Sequence, residues 1–334
     1  MASPSLSNTV LQQSVDALRD CGDNMVQAAR HLGINRSTFQ SRIRTAQIKG
    51  IKPTQLVIET PKPKAPRKNY YSHIEPRKSS AWLNKSVYNG TVIVFSDAHF
   101  WPGVRTTAFR GLICMIERLK PGMIVCNGDA FDGASISRHA RIGWDSKPTV
   151  IEEIKACQQR LAEIEEAAEG ANLVWPLGNH CARFETFLAS NAPQYEGVPG
   201  FTLKDHFPAW EPCWALKLNE DVVVKHRYKG GVHATHNNTV NAGTTMVTGH
   251  LHSLKVTAFS DYKPRPRWGV DCGTLADPDG PQFVDYLECS PTSWRSGFAV
   301  LTFRNGELLW PELVFARSDN SIEFRGEVIS VDSY

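Results

Sequence analysis

Two apolar periodicities divide the chain. Over residues 9–20, Val10, Leu11, Val15 and Leu18 recur at helical spacing, and Cys21-Gly22-Asp23 follows as a turn. Asn24 stands where it can cap a second short helix over 25–32, with Ala28, Ala29 and Leu32 facing inward. Gly33-Ile34-Asn35 then turns tightly into a third helix, Arg36 to Gln47, with Phe39 and Ile43 on one face. Residues 51–80 combine Pro, Lys and Ser with little periodicity and read as a semi-rigid spacer. From about residue 81, short apolar runs alternate with helical stretches. TVIVF (91–95) and MIVC (123–126) read as buried strands around an amphipathic helix over 106–119. A long helix over 149–168 has Ile151, Ile154, Leu161 and Ile164 spaced for burial, and 173–175 is a third strand. Further strands are expected over 214–218, 221–226, 244–248, 254–259, 267–271, 298–303 and 308–315, with residues 280–334 completing the second of two sheets. The order predicts an α/β fold, two mixed sheets packed together with helices outside, behind a small all-α domain. The expected boundaries are 1–50, a linker over 51–80, and a body over 81–334.

Composition is that of a globular chain, 41% hydrophobic and 21% charged in 334 residues. No run approaches the ~20 apolar residues that span a bilayer. The N-terminus lacks the basic-then-apolar pattern of a secretory signal, so the expectation is a cytoplasmic protein without membrane association. The eight cysteines form no CxxC pair, which argues against a zinc ribbon or a disulfide framework. Oligomeric state is not legible.

Charge changes the picture more. Residues 1–48 hold five Arg against three Asp, and 49–78 hold eight Lys or Arg against two Glu, so the first 78 residues carry +8 and the other 256 carry −5 of the total +3. A basic arm on an acidic body suits a polyanion-binding appendage. On the third helix, Arg36, Ser37, Thr38, Gln40, Ser41, Arg42 and Arg44 offer polar side chains to a major groove or to phosphates. Tyr70 and Tyr71 can stack on unpaired bases or dock the linker onto the body. The run AARHLGINRSTFQSRIR resembles the helix-turn-helix of bacterial factor-for-inversion-type and transposase-like DNA-binding domains. That resemblance implies DNA as a partner; a packing or dimerisation module is the alternative.

Five motifs sit at the ends of expected strands: Asp97-Ala98-His99, Gly128-Asp129, Gly178-Asn179-His180 and Gly249-His250-Leu251-His252 each follow one, and His226 ends one. Loops leaving neighbouring strands converge at their C-terminal ends. Mixed carboxylate, imidazole and carboxamide donors suit manganese, iron, zinc or nickel, whereas magnesium prefers oxygen alone. Two ions set close together need a bridging anion, and Asp129 after its glycine turn suits that role. A water between them would be activated as the nucleophile.

In this order the motifs resemble the calcineurin-like metallophosphoesterase superfamily over about residues 90–255. The resemblance implies a four-layer sandwich and two divalent ions, manganese foremost. It puts Asp97, His99, Asp129 and His252 on one ion, with Asp129 bridging to a second held by Asn179, His226 and His250. His180 would act near the leaving oxygen as proton donor or charge stabiliser, with Asp132 orienting it or a metal ligand. The chain departs from the family pattern at Cys181, where an acidic residue is usual, at His226-Arg227, where His-Gly is usual, and at Leu251, where Thr is commoner. His233 and His236 compete with His226 for the fourth motif. The segment 131–150 should overhang the ions, with Arg138, His139 and Arg141, joined by Arg183, contacting substrate phosphates and Trp144 stacking on a base or packing. The expected activity is a phosphodiesterase or nuclease acting on DNA. A phosphomonoesterase with a localisation module, and a DNA-binding regulator with an inactive site, are the alternatives. The whole arrangement resembles phosphoesterases of bacteria and tailed bacteriophages.

Overall fold

The computed structural model describes residues 6–54, 81–139, 146–262, 265–283, 287 and 290–334. The chain forms two compact units, Met1–Glu75 and Pro76–Tyr334. Most of the expected linker, with Tyr70 and Tyr71, and also Arg141 and Trp144, lie outside the described residues.

The first unit contains α1 (Asn8–Asp20), α2 (Met25–His31) and α3 (Arg36–Ile48). A side-chain oxygen opens each helix: Ser7 accepts from the Val10 amide, Asn24 from Val26 and Gln27, and Asn35 from Thr38. Ala17, Ala28, Ala29, Phe39 and Ile43 form the core, where the small alanines leave room for the Phe39 ring.

The second unit runs β1 (Trp82–Lys85), β2 (Gly90–Phe95), α4 (Thr107–Leu119), β3 (Met123–Cys126), α5 (Val150–Ala167), β4 (Asn172–Pro176), α6 (Cys181–Asn191), β5 (Glu211–Cys213), β6 (Ala215–Leu218), β7 (Val222–Val224), α7 (Ala234–Ala242), β8 (Thr245–Thr248), β9 (Lys255–Phe259), β10 (Arg267–Asp271), β11 (Gly297–Arg304), β12 (Glu307–Leu308), β13 (Glu312–Ala316), β14 (Ser321–Phe324) and β15 (Glu327–Ser330). Among the described residues these strands build two mixed sheets, one of six strands in the order β1-β6-β7-β8-β10-β9 and one of nine in the order β15-β14-β13-β11-β2-β3-β4-β5, with β12 on β11. In the larger sheet β2, β3 and β4 are parallel neighbours; in the smaller, β7, β8 and β10 are.

Alternation along the strands decides what each face buries. Val92 and Val94, Met123 and Val125, and Leu301 and Phe303 share one apolar cluster with Leu216, Val224, Val247 and Val270 of the other sheet. The opposite face of the larger sheet, with Ile93, Phe95 and Ile124, packs on Phe109, Leu112 and Ile116 of α4 and on Ile154, Leu161 and Ile164 of α5. Against the smaller sheet, α7 sits so close that a side chain at Gly269 would collide with the Thr235 carbonyl.

Two expectations are corrected. Ile151 is 55% exposed, because the first turn of α5, closed by the Thr149–Glu152 capping box, lies outside the core that begins at Ile154. Residues 297–330 extend the first sheet rather than the second. β2, buried over its last four residues, requires a neighbour on each side, and β11 supplies the second by pairing antiparallel to it. Among the described residues, no helix is long and apolar enough to cross a membrane.

Candidate metal centre

Strand ends position every motif. β2, β3 and β4 stop at Phe95, Cys126 and Pro176, and β7 and β8 stop at Val224 and Thr248. The first two loops then run together: the amides of Asp97 and His99 donate to the carbonyls of Gly128 and Asp129 at 3.0 and 2.9 Å. The second sheet is tied in where the His250 amide donates to Asp97 Oδ2 at 2.8 Å. Asp97, His99, Asp129, His250 and His252 all adopt the left-handed backbone region, φ from 40° to 72°. Strain of this kind persists where the surroundings over-determine it, and it gathers at functional sites. Close approach is also required at two glycines. A side chain at Gly178 would strike the Asp129 carboxylate, and one at Gly249 would strike Ser96 Oγ and Asp97 Oδ2.

The loops bring together Asp97, His99 and His252 as one group and Asp129, His226 and His250 as another, with the ligand atoms of each group within 4.8 Å of one another. His252 Nε2 is 3.1 Å from Asp97 Oδ1, and His226 Nε2 is 2.9 Å from Asp129 Oδ2. His226 Nδ1 sits 2.8 Å from the Asn127 carbonyl, and His99 Nδ1 sits 2.7 Å from Asp132 Oδ1. A proton on each Nδ1 leaves both Nε2 lone pairs directed at the cluster, the arrangement of a metal-ligating imidazole. His233 and His236 lie elsewhere, at the start of α7, where His236 packs on Phe259.

Electrostatics points the same way. Burial opposes charge on Asp97 and Asp129, yet His252 and His226 beside the first, and His226, His180 and His99 beside the second, hold both carboxyls well below the usual range. Burial also opposes charge on His226, but Asp129 and Asp97 pull it up to about 9. Burial lowers His99, and burial with the His226 charge lowers His250. Asp129 Oδ2 and His226 Nε2 are buried with no hydrogen-bond partner apart from each other, and Asn179 Oδ1 and His252 Nδ1 are buried with none. Unpartnered buried polar atoms are costly, and a divalent cation satisfies carboxylate, imidazole and carboxamide together. The residues present fit such ions.

Asp132 Oδ1 is shared, lying 2.7 Å from Nδ1 of both His99 and His180. Against burial, these hydrogen bonds hold Asp132 far below its ordinary pKa; also against burial, Asp132 and Asp129 raise His180. Arg183 donates to the Asp132 carbonyl at 2.9 Å and lies 3.2 Å from His180 Nε2. Cys181 is a packing residue here. Its Sγ accepts from the Asp129 amide at 3.1 Å, and burial with the Asp129 charge pushes the thiol up to about 12.

Beside Asn179 opens a cleft of about 820 Å³ that takes in Arg138, His139 and Arg183 of the expected phosphate contacts, and Lys225 and Arg227 besides. On α3, Arg36, Ser37, Thr38, Gln40 and Arg44 are exposed and Arg42 is half-buried.

Sequence reasoning passes over several residues. Trp294 packs on His252 at 4.4 Å between ring centroids, and Phe283 on His99 at 5.3 Å. Asp271, pushed up to about 6 chiefly by burial, accepts the amides of Ser253 and Gly273 and so braces the His252 loop. Glu153 accepts the amides of Gly133 and Ala134 at 2.7 and 2.9 Å, bracing the segment that follows Asp132. Aromatic packing and lone buried acids carry no motif; only the charged position on the apolar face of α5 is a signal for Glu153.

Fold and site together define an α/β protein with a buried Asp/His cluster able to hold metal ions. The chain is similar to the gene 54 protein of Mycobacterium phage L5, with 26% identity over 244 residues that cover 67% of this chain and 92% of that protein. No protein-family model matches it.

Proposed function

We propose that the chain is a binuclear metal-dependent phosphoesterase of the calcineurin-like superfamily, built as its four-layer sandwich and acting on DNA phosphodiesters. The carrying observation is the pair of donor groups, Asp97 with His99 and His252, and Asp129 with His226 and His250, meeting at the strand ends of two sheets. In this reading Asp97, His99, Asp129 and His252 hold one ion, while Asp129 with Asn179, His226 and His250 holds the second. When bound, the ions (manganese first, with iron, zinc or nickel as alternatives) activate water and neutralise phosphate charge. His180, held near Asp132 and Arg183, supplies a proton or positive charge at the leaving oxygen. Arg138, His139 and Arg183 orient the phosphate, and the three-helix unit, read as a helix-turn-helix, delivers the body to DNA through Arg36, Ser37, Thr38, Gln40, Arg42 and Arg44. The similarity to a phage protein supports a role in an infected host's cytoplasm.

Hydrolysis of an aryl phosphodiester and of the matching monoester, each with manganese, tests the reading. The diester should be turned over faster, and both Asp129→Asn and His180→Ala should abolish turnover. Faster turnover of the monoester would favour a phosphomonoesterase, and activity retained in either variant would mean that the site is misassigned.

A further inference from the structure

The cleft beside Asn179 has two properties that a phosphate site alone does not need. Three exposed aromatic side chains line it: Phe187 of α6, Trp214 between β5 and β6, and Tyr228 after β7, at 42%, 43% and 47% exposure. Large apolar rings left this open lose the stabilisation of burial, so their gathering in one cleft calls for a ligand with flat faces. The second property is charge. Arg138, Arg183, Lys225 and Arg227 share the cleft, and among the described residues no Asp or Glu lines it. Among the described residues, Arg138, Lys225 and Arg227 form no ion pair with a carboxylate, although the body as a whole is acidic. The volume, about 820 Å³, lies near the top of the roughly 300–1,000 Å³ usual for a small-molecule site and far exceeds one phosphate group.

We infer that this cleft binds single-stranded polynucleotide, stacking unpaired bases on Trp214, Tyr228 and Phe187 while Lys225 and Arg227 pair with the phosphates between them. Rings and cations lining one cleft are what an unpaired strand requires, since every base has a face to stack and every linkage a charge. A duplex keeps its bases stacked on each other and offers these rings nothing. Asn179, a ligand of the second ion in the reading above, lies on the wall of the same cleft, so a bound strand would pass beside that proposed site. The inference names the substrate class for the site proposed above and rests on that reading for its catalytic meaning, though not for binding.

The test measures binding of the full chain in chelator, where no hydrolysis occurs, to a fluorescent ten-residue oligothymidylate, to the same backbone without bases, and to a duplex of equal length. All three are read in a background carrying Arg36→Ala, Arg42→Ala and Arg44→Ala, which removes the contacts proposed for α3. The base-bearing strand should bind at least tenfold more tightly than either competitor, and Trp214→Ala should weaken it about tenfold while leaving the baseless strand's affinity unchanged. Equal affinity for the strands with and without bases, or for single strand and duplex, overturns the inference whatever Trp214→Ala does. Aryl diester hydrolysis by the unaltered chain is measured in parallel. Its absence alongside base-dependent binding sinks the catalytic reading and leaves the cleft standing, and the reverse pattern sinks the cleft alone.

Discussion

Asp129 Oδ2 and His226 Nε2 lie 2.9 Å apart in the interior, and neither atom has a hydrogen-bond partner apart from the other. Two unpartnered acceptors at that separation repel unless a positive charge serves both. A proton on His226 does so in the metal-free chain, which is why Asp129 and Asp97 raise this ring to about 9 against the effect of burial. A divalent ion held there would do so better, because Asp129, His226 and His250 offer it ligand atoms within 4.8 Å of one another.

Manganese should therefore stabilise the chain by mass action, by about 2.7 kcal/mol at a hundredfold excess over the dissociation constant. Asp129→Asn should lose most of that gain, since the neutral carboxamide removes the one negative charge that both ion positions would share. Thermal unfolding with and without manganese, with bound metal counted by elemental analysis, reads both quantities. An equal upward shift in wild type and variant would remove Asp129 from the metal centre.

Gly178 has no room for a side chain: a Cβ there would overlap Asp129 Oδ1 and lie 2.9 Å from the Asp129 amide nitrogen. Gly178→Ala should displace the carboxylate, cost about 1–3 kcal/mol of stability and weaken manganese binding. Gly122→Ala, whose added Cβ meets nothing within 4 Å, is the control and should leave metal binding intact. Denaturant titration and calorimetry of the two variants separate a local steric effect from a general one.

These contacts explain which parts of the molecule are legible in sequence. A ligand cluster assembled from strand ends needs particular side chains at particular chain positions, so Asp97, His99, Asp129, His226, His250 and His252 leave an ordered trace. The glycines beside them persist for a steric reason, as Gly178 and Gly249 do. The helices over 8–48 are legible through periodicity and capping, since Asn24 announces the helix it caps; the cap at Asn35, read only as part of a turn, comes from the structure. Sheet membership is not, because β11 and β13 have the same alternation whichever sheet they join, and the partner is decided by the open side of β2. Trp294 and Phe283 are silent for a similar reason: packing on a histidine ring requires no spacing in the chain. His226 is favoured over His233 and His236 in the sequence by its place at the end of an expected strand and by its spacing to His250; in the fold β7 ends at Val224 and 234–242 coil into α7.

If the basic arm and α3 bind DNA, affinity should fall steeply with salt, because each neutralised phosphate releases counterions and contributes about −0.9 to the logarithmic slope. Replacing Arg36, Arg42 and Arg44 together by Ala should reduce that slope by about 2 to 3 units. Anisotropy titrations of the full chain with a duplex over a series of salt concentrations give the slopes directly. An unchanged slope would mean that α3 does not face the phosphates.

Glu153 gives the body a pH dependence that can be assigned to one side chain. It is fully buried on the inner face of α5, and burial together with the nearby Asp132 charge raises it from 4.5 to about 7, although the Gly133 and Ala134 amides oppose the shift. The folded chain thus holds this proton more tightly than the unfolded chain does. Below about pH 4.5 both states are protonated and the stabilisation is complete. Between 4.5 and 7 the unfolded state ionises first and stability falls, and above about 7 the loss levels off on the order of 3 kcal/mol. Glu153→Gln keeps an acceptor for one of the two amides and removes the titration. The difference in unfolding free energy between wild type and variant should therefore change across this window in favour of the variant, and should be flat above it. Chemical denaturation in chelator from pH 4 to 8 measures the difference, and a constant value throughout would show that Glu153 titrates in the folded chain as it does in the unfolded one.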